Sequence, residues 1–321
     1  MSMSQTETVG LAGLGFLGRG IAACLVAHDL RVVAHVRSAE SQREAEAYIA
    51  RAMHELVEHA GFDADLPDKW RGRITFSDGF AAFKGVDFVI ESVVEDVETK
   101  NEVFDEVERV VGKQVPIASN TSSLSVTLLA ERRQSPERFL GMHWAEPAYA
   151  TRFLELIRGE RTSDEAFRQA ADLAYCVGKE PSLVQKDVPA FVVNRIGYAM
   201  LREALHLLEE GVADAETIDR SFRHAVGLWA SFAGPLRWVD LSGGPALYGK
   251  TMNNVLPTLS NAAAITDGMR RMMENDDKGI VNGRGFYEYS PDDAKMWEDR
   301  FRRSVWQVRR WAEELEQGDA G

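Results

Sequence analysis

A short apolar run, Thr8 to Ala12, ends in the series Gly13-Leu14-Gly15-Phe16-Leu17-Gly18-Arg19-Gly20. Apolar residues with helical spacing follow from Ile21 to Ala27, and a second β-like run spans Val32 to Val36. The order is strand, glycine turn, helix, strand, and few patterns restrict a fold as tightly. Gly13 permits the tight turn, Gly15 lets backbone approach a pyrophosphate, and Gly18 lets the helix pack close to the strand. The helix N-terminus then offers free N–H groups and a partial positive charge to phosphates. Gly13, Gly15, Phe16, Leu17 and Gly18 are therefore candidate contacts to a dinucleotide.

The second strand ends in Ala34-His35-Val36-Arg37-Ser38. An NAD site usually has Asp or Glu there, to bind the ribose hydroxyls. Here there is no acid, and Arg37 with Ser38 has the chemistry to hold a 2′-phosphate. The local residues favour NADP over NAD. The plainer alternative is a surface arginine, with the ribose hydroxyls left to water or backbone.

A long Ala-, Glu- and Arg-rich helix is expected over residues 39–60. Its polar face carries Glu40, Glu44, Glu46, Glu55 and Glu58 against Arg43 and Arg51. A loop with a proline follows over residues 61–73. Strands are expected at Ile74–Phe76, Val86–Ile90 and Val115–Ala118, with a helix over Val93–Val111. The third of these strands runs into Ser119-Asn120-Thr121-Ser122-Ser123. Small polar residues at a strand's carboxyl end, ahead of a helix, mark where open α/β sheets bind ligands. A plain N-cap loop would account for one or two of the five.

Next comes Leu140 to Ile157, which sets His143 twelve residues before Glu155. Each lies in or beside a short apolar run, Phe139–Met142 and Phe153–Ile157, with a Pro-containing turn between. Two strands joined this way bring an imidazole and a carboxylate together, the simplest pair for acid–base chemistry near neutral pH. A helix over Ser163–Val177 and a strand over Pro181–Val184 complete this part. From Phe191 onward strands disappear, and Val192–Glu210, Asp214–Val226 and residues 291–316 read as helices. In the last, Trp297, Trp306 and Trp311 are expected to pack. The expected fold class is α/β with a mostly parallel sheet over residues 1–187, then an all-α domain over 188–321.

The net charge of -13, with no compensating basic run, argues against a nucleic-acid partner. Two cysteines, Cys24 and Cys176, are too few for a disulfide framework or zinc site, so both are expected as buried thiols and no metal is expected. No apolar run reaches transmembrane length, and the N-terminus lacks the basic start and long apolar stretch of a signal peptide. A cytoplasmic protein without a membrane partner is the expectation.

Six pieces in order resemble the L-3-hydroxyacyl-CoA dehydrogenase family. They are Gly13-Leu-Gly15-Phe-Leu-Gly18; Val89-Ile-Glu91-Ser-Val-Val-Glu95 with Lys100; Ala118-Ser-Asn120-Thr-Ser122-Ser-Leu; His143 to Glu155; Pro189-Ala-Phe-Val-Val-Asn194-Arg195; and Gly285-Phe-Tyr. The resemblance implies a Rossmann-like NAD(P)-binding domain, a helical domain that makes a homodimer, and oxidation of a secondary alcohol by NAD or NADP, with NAD the family's usual choice. It implies His143 as general base, Glu155 orienting it, Ser122 on the substrate oxygen and Asn194 positioning the substrate. Glu95 and Lys100 would line the cleft, and Asn120, Ser122 and Glu146 fall among the expected cofactor contacts.

Three positions depart from the family. Val36 replaces an aspartate. Glu146 replaces the asparagine of His-x-x-Asn-Pro, where a carboxylate would raise the pKa of His143, bind a cationic group, face solvent or pair with Arg152. The acidic 39–60 helix would repel a polyanion such as CoA. A small hydroxy compound free of CoA is therefore set ahead of an acyl-CoA substrate of fatty acid metabolism, and Gly141-Met-His-Trp and Leu201-Arg-Glu-Ala resemble family members that oxidise such compounds, including pyridine-type alcohols. A family member that binds NAD(P)H without catalysis, as a sensor or structural protein, is the alternative from another class.

Overall fold

Eight strands form one sheet in the order β3-β2-β1-β4-β5-β6-β7-β8. They are β1 (Thr8–Ala12), β2 (Arg31–His35), β3 (Ile74–Ser77), β4 (Phe88–Glu91), β5 (Ile117–Ser119), β6 (Phe139–Trp144), β7 (Phe153–Ile157) and β8 (Glu180–Val184). Every neighbouring pair is parallel except β6 and β7. The computed structural model describes residues 6–319. These form two compact units, divided between Asn194 and Arg195.

The helices of the first unit are α1 (Phe16–Ala27), α2 (Ala39–Ala60), α3 (Leu66–Lys69), α4 (Val97–Val110), α5 (Val126–Ala130) and α6 (Asp164–Cys176). Their starts are written in the sequence. Ser38, Asp96, Ser125 and Ser163 each cap a helix by accepting a backbone N–H with the side chain. Gly61, left-handed at φ 70°, closes α2. One face of the sheet is sealed by Phe80, Phe83, Phe104 and Phe139 with Val89 and Ile117. Gly10 of β1 is required there, because a Cβ would come within 2.8 Å of the Phe83 ring.

Some expectations are corrected. The expected loop over 61–73 contains α3 and a 3₁₀ turn, Trp70–Arg73, organised by the fully buried Trp70. Glu55 is not on a polar surface: it is buried and accepts the Tyr149 hydroxyl at 2.6 Å. Cys24 is buried as expected, but Cys176 is exposed at the end of α6.

The second unit is helical. It continues α7 (Val193–Glu209) into α8 (Ala215–Ser221), a π turn over Phe222–Val226, α9 (Gly227–Ala230), α10 (Gly234–Leu241), α11 (Gly244–Val255), α12 (Asp267–Glu274) and α13 (Pro291–Asp319). None of α7 to α12 has a buried residue, and Leu228, Leu236, Leu247 and Val281 are all more than half exposed. Of the three tryptophans in α13 only Trp306 is buried; Trp297 and Trp311 stay partly exposed. Among the described residues no helix is long and apolar enough to cross a membrane.

Candidate active site

The antiparallel register of β6 and β7 makes His143 and Glu155 direct partners. Nδ1 of His143 lies 2.9 Å from Oε2 of Glu155, and both side chains are buried. The Phe153 ring meets the imidazole edge-on at 5.8 Å, and Phe191 lies 5.7 Å away. Together they restrict the ring's rotation. The other oxygen of Glu155, Oε1, accepts the N–H groups of Val192 and Val193 at 3.1 and 2.9 Å. Those amides are aimed by a turn in which Ala190 and Phe191 adopt left-handed φ values of 65° and 54°. For residues with a Cβ this costs about 1 kcal/mol or more each.

Burial alone would push the Glu155 carboxyl up. The bond to His143 and the two amides outweigh it and hold the group below the usual carboxylate range. A carboxylate here can only accept, so Nδ1 carries a proton and Nε2 keeps a lone pair when the imidazole is neutral. That is the tautomer a general base needs.

The strand end at β5 lies alongside, through the register Ser119↔Gly141. Asn120 was expected to touch cofactor. Its side chain, half-buried, ties strand ends together, accepting Trp144 N–H at 3.0 Å and donating to Ser92 Oγ at 3.0 Å. Ser122 is exposed; its N–H donates to Glu95, and its carbonyl accepts Asn194 Nδ2 at 2.9 Å. Its hydroxyl has no hydrogen bond among the described residues. Ser122 and Asn194, far apart in sequence, are thus in direct contact.

Glu95 organises this turn. Its Oε1 accepts Thr121 Oγ1 at 2.7 Å, the Ser122 and Ser123 amides at 2.8 and 2.9 Å, and Ser123 Oγ at 3.0 Å. Partial burial raises its pKa, but Thr121, the charge of Lys100 and the amides dominate and bring it to about 2. Lys100 was expected to line the cleft. It is 0% exposed, and its Nζ donates to both oxygens of Glu91 at 2.8 and 3.1 Å. Ser119 Oγ and Val93 N–H complete the Glu91 shell at 2.6 and 2.7 Å. Glu91 had no assigned role from sequence. The clue was there: a carboxylate closing the apolar strand Phe88-Val-Ile-Glu must meet a buried partner.

Glu146 follows β6, before a cis bond to Pro147. It neither faces solvent nor pairs with Arg152, which is bonded to Glu180. Its Oε1 accepts the Tyr48 hydroxyl at 2.5 Å, and its Oε2 is buried without a hydrogen-bond partner, against Gly20. The Arg19 and Arg51 guanidiniums lie over the Tyr48 ring at 4.7 and 5.2 Å. Burial pushes the Glu146 carboxyl up despite Tyr48 and Arg19. The residue expected to modulate His143 or contact cofactor is thus bonded to α2 and lies against α1. Lys179, also unassigned from sequence, holds the same connection by donating to the carbonyls of Ala148 and Thr151.

The glycine turn fits a dinucleotide. Gly13 has φ 109°, and a Cβ there would meet the Ser92 carbonyl at 2.6 Å. A Cβ on Gly18 would fall 2.1 Å from the Gly13 carbonyl. A Cβ on Gly15 would meet nothing within 4 Å, and no side chain caps α1. Open space over uncapped helix amides is what a pyrophosphate requires. Phe16 is exposed beside it and Leu17 is half-buried. At the end of β2, Val36 is buried and Arg37 exposed. No cluster able to hold a metal ion occurs among the described residues.

Known proteins carry the same pattern. The family described as "3-hydroxyacyl-CoA dehydrogenase, NAD binding domain" matches residues 8–188, and its C-terminal domain matches residues 191–289. The chain is 33% identical to the 5-formyl-3-hydroxy-2-methylpyridine 4-carboxylate 5-dehydrogenase of Mesorhizobium japonicum, over 95% of this chain and 97% of that protein. It is also 33% identical to a probable 3-hydroxybutyryl-CoA dehydrogenase of Deinococcus radiodurans, over 87% and 99%. Among solved structures, an NAD+-dependent dismutase that is a 5-dehydrogenase of the same pyridine compound superposes with a TM-score of 0.90 at 31% identity, covering 96% of this chain and 99% of that one. The (S)-3-hydroxybutyryl-CoA dehydrogenase of Ralstonia eutropha gives 0.74 at 33% identity, covering 89% and 100%. The chain belongs to the 3-hydroxyacyl-CoA dehydrogenase family, NAD(P)-binding oxidoreductases that act on CH–OH groups.

Proposed function

We propose that this enzyme oxidises a secondary or activated alcohol on a small hydroxy compound free of CoA, with His143 as general base. The observation that carries the chemistry is the buried His143–Glu155 pair, held at 2.9 Å beside the Ser122 turn. Nε2 of His143 takes the hydroxyl proton. Glu155 keeps Nδ1 protonated and stabilises the imidazolium that forms. In the reverse direction the same nitrogen returns the proton to the carbonyl oxygen. The free Ser122 hydroxyl donates to the substrate oxygen, and Asn194, bonded to the Ser122 carbonyl, fixes that turn against the substrate. When bound, the nicotinamide accepts the hydride that leaves the carbinol carbon. The residues of the chain hold the pyrophosphate at Gly13 to Gly18, orient the alcohol and move its proton.

Two observations favour a substrate without CoA. The pyridine-compound dehydrogenase of Mesorhizobium japonicum matches 95% of this chain, including sequence beyond residue 289, where the family's C-terminal domain match ends. The outer face of α2 carries Glu40, Glu44 and Glu58, all exposed, which repels a polyanionic nucleotide tail.

A homodimer is part of the same proposal. Helices α7 to α12, without a fully buried residue and with Leu228, Leu236 and Val281 at 68%, 84% and 79% exposure, present more apolar surface than a monomer ordinarily leaves open. A second copy of the chain covers it.

The test is turnover with pyridine-type hydroxy acids, free hydroxy acids and 3-hydroxyacyl-CoA esters, with NAD and NADP in parallel. Activity confined to free compounds supports the proposal. Activity confined to the CoA esters replaces its substrate class. Cofactor binding without turnover of any of them points to a sensor or structural role.

A further inference from the structure

We infer that Arg19, together with Arg51, binds a carboxylate of the substrate, so that the alcohol this enzyme oxidises is carried on an organic acid. The inference rests on the proposed oxidation of a small hydroxy compound free of CoA and adds the group by which that compound is held.

Arg73, Arg133, Arg138, Arg152 and Arg158 of the N-terminal unit are buried or half-buried, and each meets a carboxylate: Asp29, Asp105, Glu108, Glu180 and Asp164 in turn. Arg19 is half-buried as they are, yet meets no carboxylate among the described residues, and its Nε is buried without a hydrogen-bond partner. A guanidinium taken out of water this way is unfavourable until an anion completes it. Two aromatic rings hold it, Phe16 with its centroid 5.6 Å from the guanidinium carbon and Tyr48 at 4.7 Å. These contacts fix the group without using its N–H donors, which are the atoms that grip a carboxylate through two parallel hydrogen bonds. Arg51 is exposed, also without an ion pair among the described residues, and stands 5.2 Å from the same Tyr48 ring. Two guanidiniums thus share one phenol ring.

The local charge has the sign that receives an anion. The acid in this cluster is Glu146, whose Oε1 is taken by the Tyr48 hydroxyl and whose Oε2 is shut against Gly20. It acts on both arginines without a direct ion pair, and burial pushes its carboxyl up, towards the neutral form. Two cations therefore face at most one anion. By sequence Glu146 was a candidate for binding a cationic group; the side chains gathered round it carry the opposite sign. The place suits a substrate better than the cofactor. Arg19 is turned to the Tyr48 ring of α2, and nothing stands over Gly15, where a pyrophosphate fits. A Cβ on the next residue, Gly20, would meet Ala148 Cβ at 3.2 Å and Glu146 Oε2 at 3.3 Å, so α1 lies against the connection that leaves the strand of His143. Three residues of chain, about 11 Å at most, separate His143 from Glu146. A hydroxy acid built on a few carbons or one aromatic ring, with its hydroxyl at Nε2 of His143, is of the length that joins the two places.

The experiment is calorimetry on the full chain with NADH at saturation, using pyridine-4-carboxylate and pyridine-4-carboxamide as probes. The acid is expected to bind about tenfold or more tightly than the amide, the value of one charge-assisted contact. Arg19→Met, which keeps a side chain of similar reach against the two rings, should reduce that preference to about threefold or less. Arg19→Lys, with the charge but without the fork, should keep part of it. Arg51→Ala, at an exposed position, should weaken the acid by about threefold and leave the amide unchanged. Equal binding of acid and amide by the unmodified chain, or binding of neither, overturns the inference, as does an undiminished preference in Arg19→Met. A loss of NADH affinity in Arg19→Met as large as the loss of the acid assigns the arginine to the cofactor phosphates and overturns it as well. Turnover separates this failure from that of the proposed function. Free alcohols oxidised equally with and without a carboxylate overturn this inference alone, and turnover confined to CoA esters overturns both.

Discussion

Glu155 joins two things that the chain keeps far apart: with Oε2 it holds Nδ1 of His143 at 2.9 Å, and with Oε1 it takes the Val193 amide at 2.9 Å. The carboxylate therefore sets the imidazole's tautomer and pins the left-handed turn at Ala190 and Phe191 in one arrangement. An imidazole positioned this way loses its tautomer or its orientation when either partner is altered, while the glycine turn, built from other residues, stays intact.

His143→Gln should lower kcat by about two to four orders of magnitude, with NAD(P)H affinity retained. Steady-state kinetics beside a binding titration checks both halves. Retained turnover would remove His143 from the role of base.

The glycine turn separates folding from binding. Gly15→Ala places a methyl group where no protein atom lies within 4 Å, at a backbone conformation alanine accepts. Its stability should stay within about 1 kcal/mol of the unmodified protein, while cofactor affinity falls by about tenfold or more as the methyl fills the space a pyrophosphate needs. Gly18→Ala puts its Cβ 2.1 Å from the Gly13 carbonyl and should lose about 1–3 kcal/mol or more of stability as well. Urea unfolding and cofactor titration of the two variants give the comparison. Equal destabilisation of both would contradict it.

Lys100→Met should cost about 3–5 kcal/mol, because it strands the Glu91 charge in the interior. Lys100 and Glu91 are both 0% exposed. Adding Glu91→Gln should restore part of the loss, since the neutral amide keeps its oxygen on the Val93 N–H and turns its NH2 to donate to the Ser119 hydroxyl oxygen. If the double variant is no more stable than Lys100→Met, the buried charge is not the cause.

Glu95 gives a pH dependence with a definite sign. Its carboxyl is held at about 2 in the folded protein, below the ordinary value of 4.5. A depressed pKa contributes stability that is present above pH 4.5 and is lost as the pH falls towards 2. The side chain is about one-third exposed, so solvent screening keeps the contribution modest. Glu95→Gln should flatten the acid limb of a stability–pH curve in that window and raise KM through the loosened Ser122 turn. An acid limb identical to that of the unmodified protein would show that the carboxylate's four donors do not hold its charge.

The contrast between Glu155 and Glu146 shows how far the sequence could be read. The first was legible because it lies in a short hairpin. Twelve residues and two apolar runs fix which side chains meet, and strand alternation then faces His143 to Glu155. Glu146 lies only three residues from His143, yet its partner is Tyr48, 98 positions away in sequence. No local pattern links them. Glu55 followed the same course: it sits at a helical spacing that suggests solvent, and is buried because Tyr149 reaches it from the β6–β7 connection. Lys100 carried the residue type of a cleft-lining charge and became an interior cation through Glu91, which the β4–β5 register sets opposite Ser119.

By itself the sequence determined the elements and the turn chemistry: the strand–glycine–helix start, the serine and aspartate caps, the His143–Glu155 pairing, and the change from alternating elements to helices alone. These follow from spacing over a few residues and from the φ values only glycine adopts freely. The tertiary structure decided which charges are buried and what neutralises them. A charge's energy depends on its surroundings, and those are assembled from strands and helices distant in the chain. That is why Lys100, Glu146 and Glu55 ended in places their own neighbourhoods did not announce.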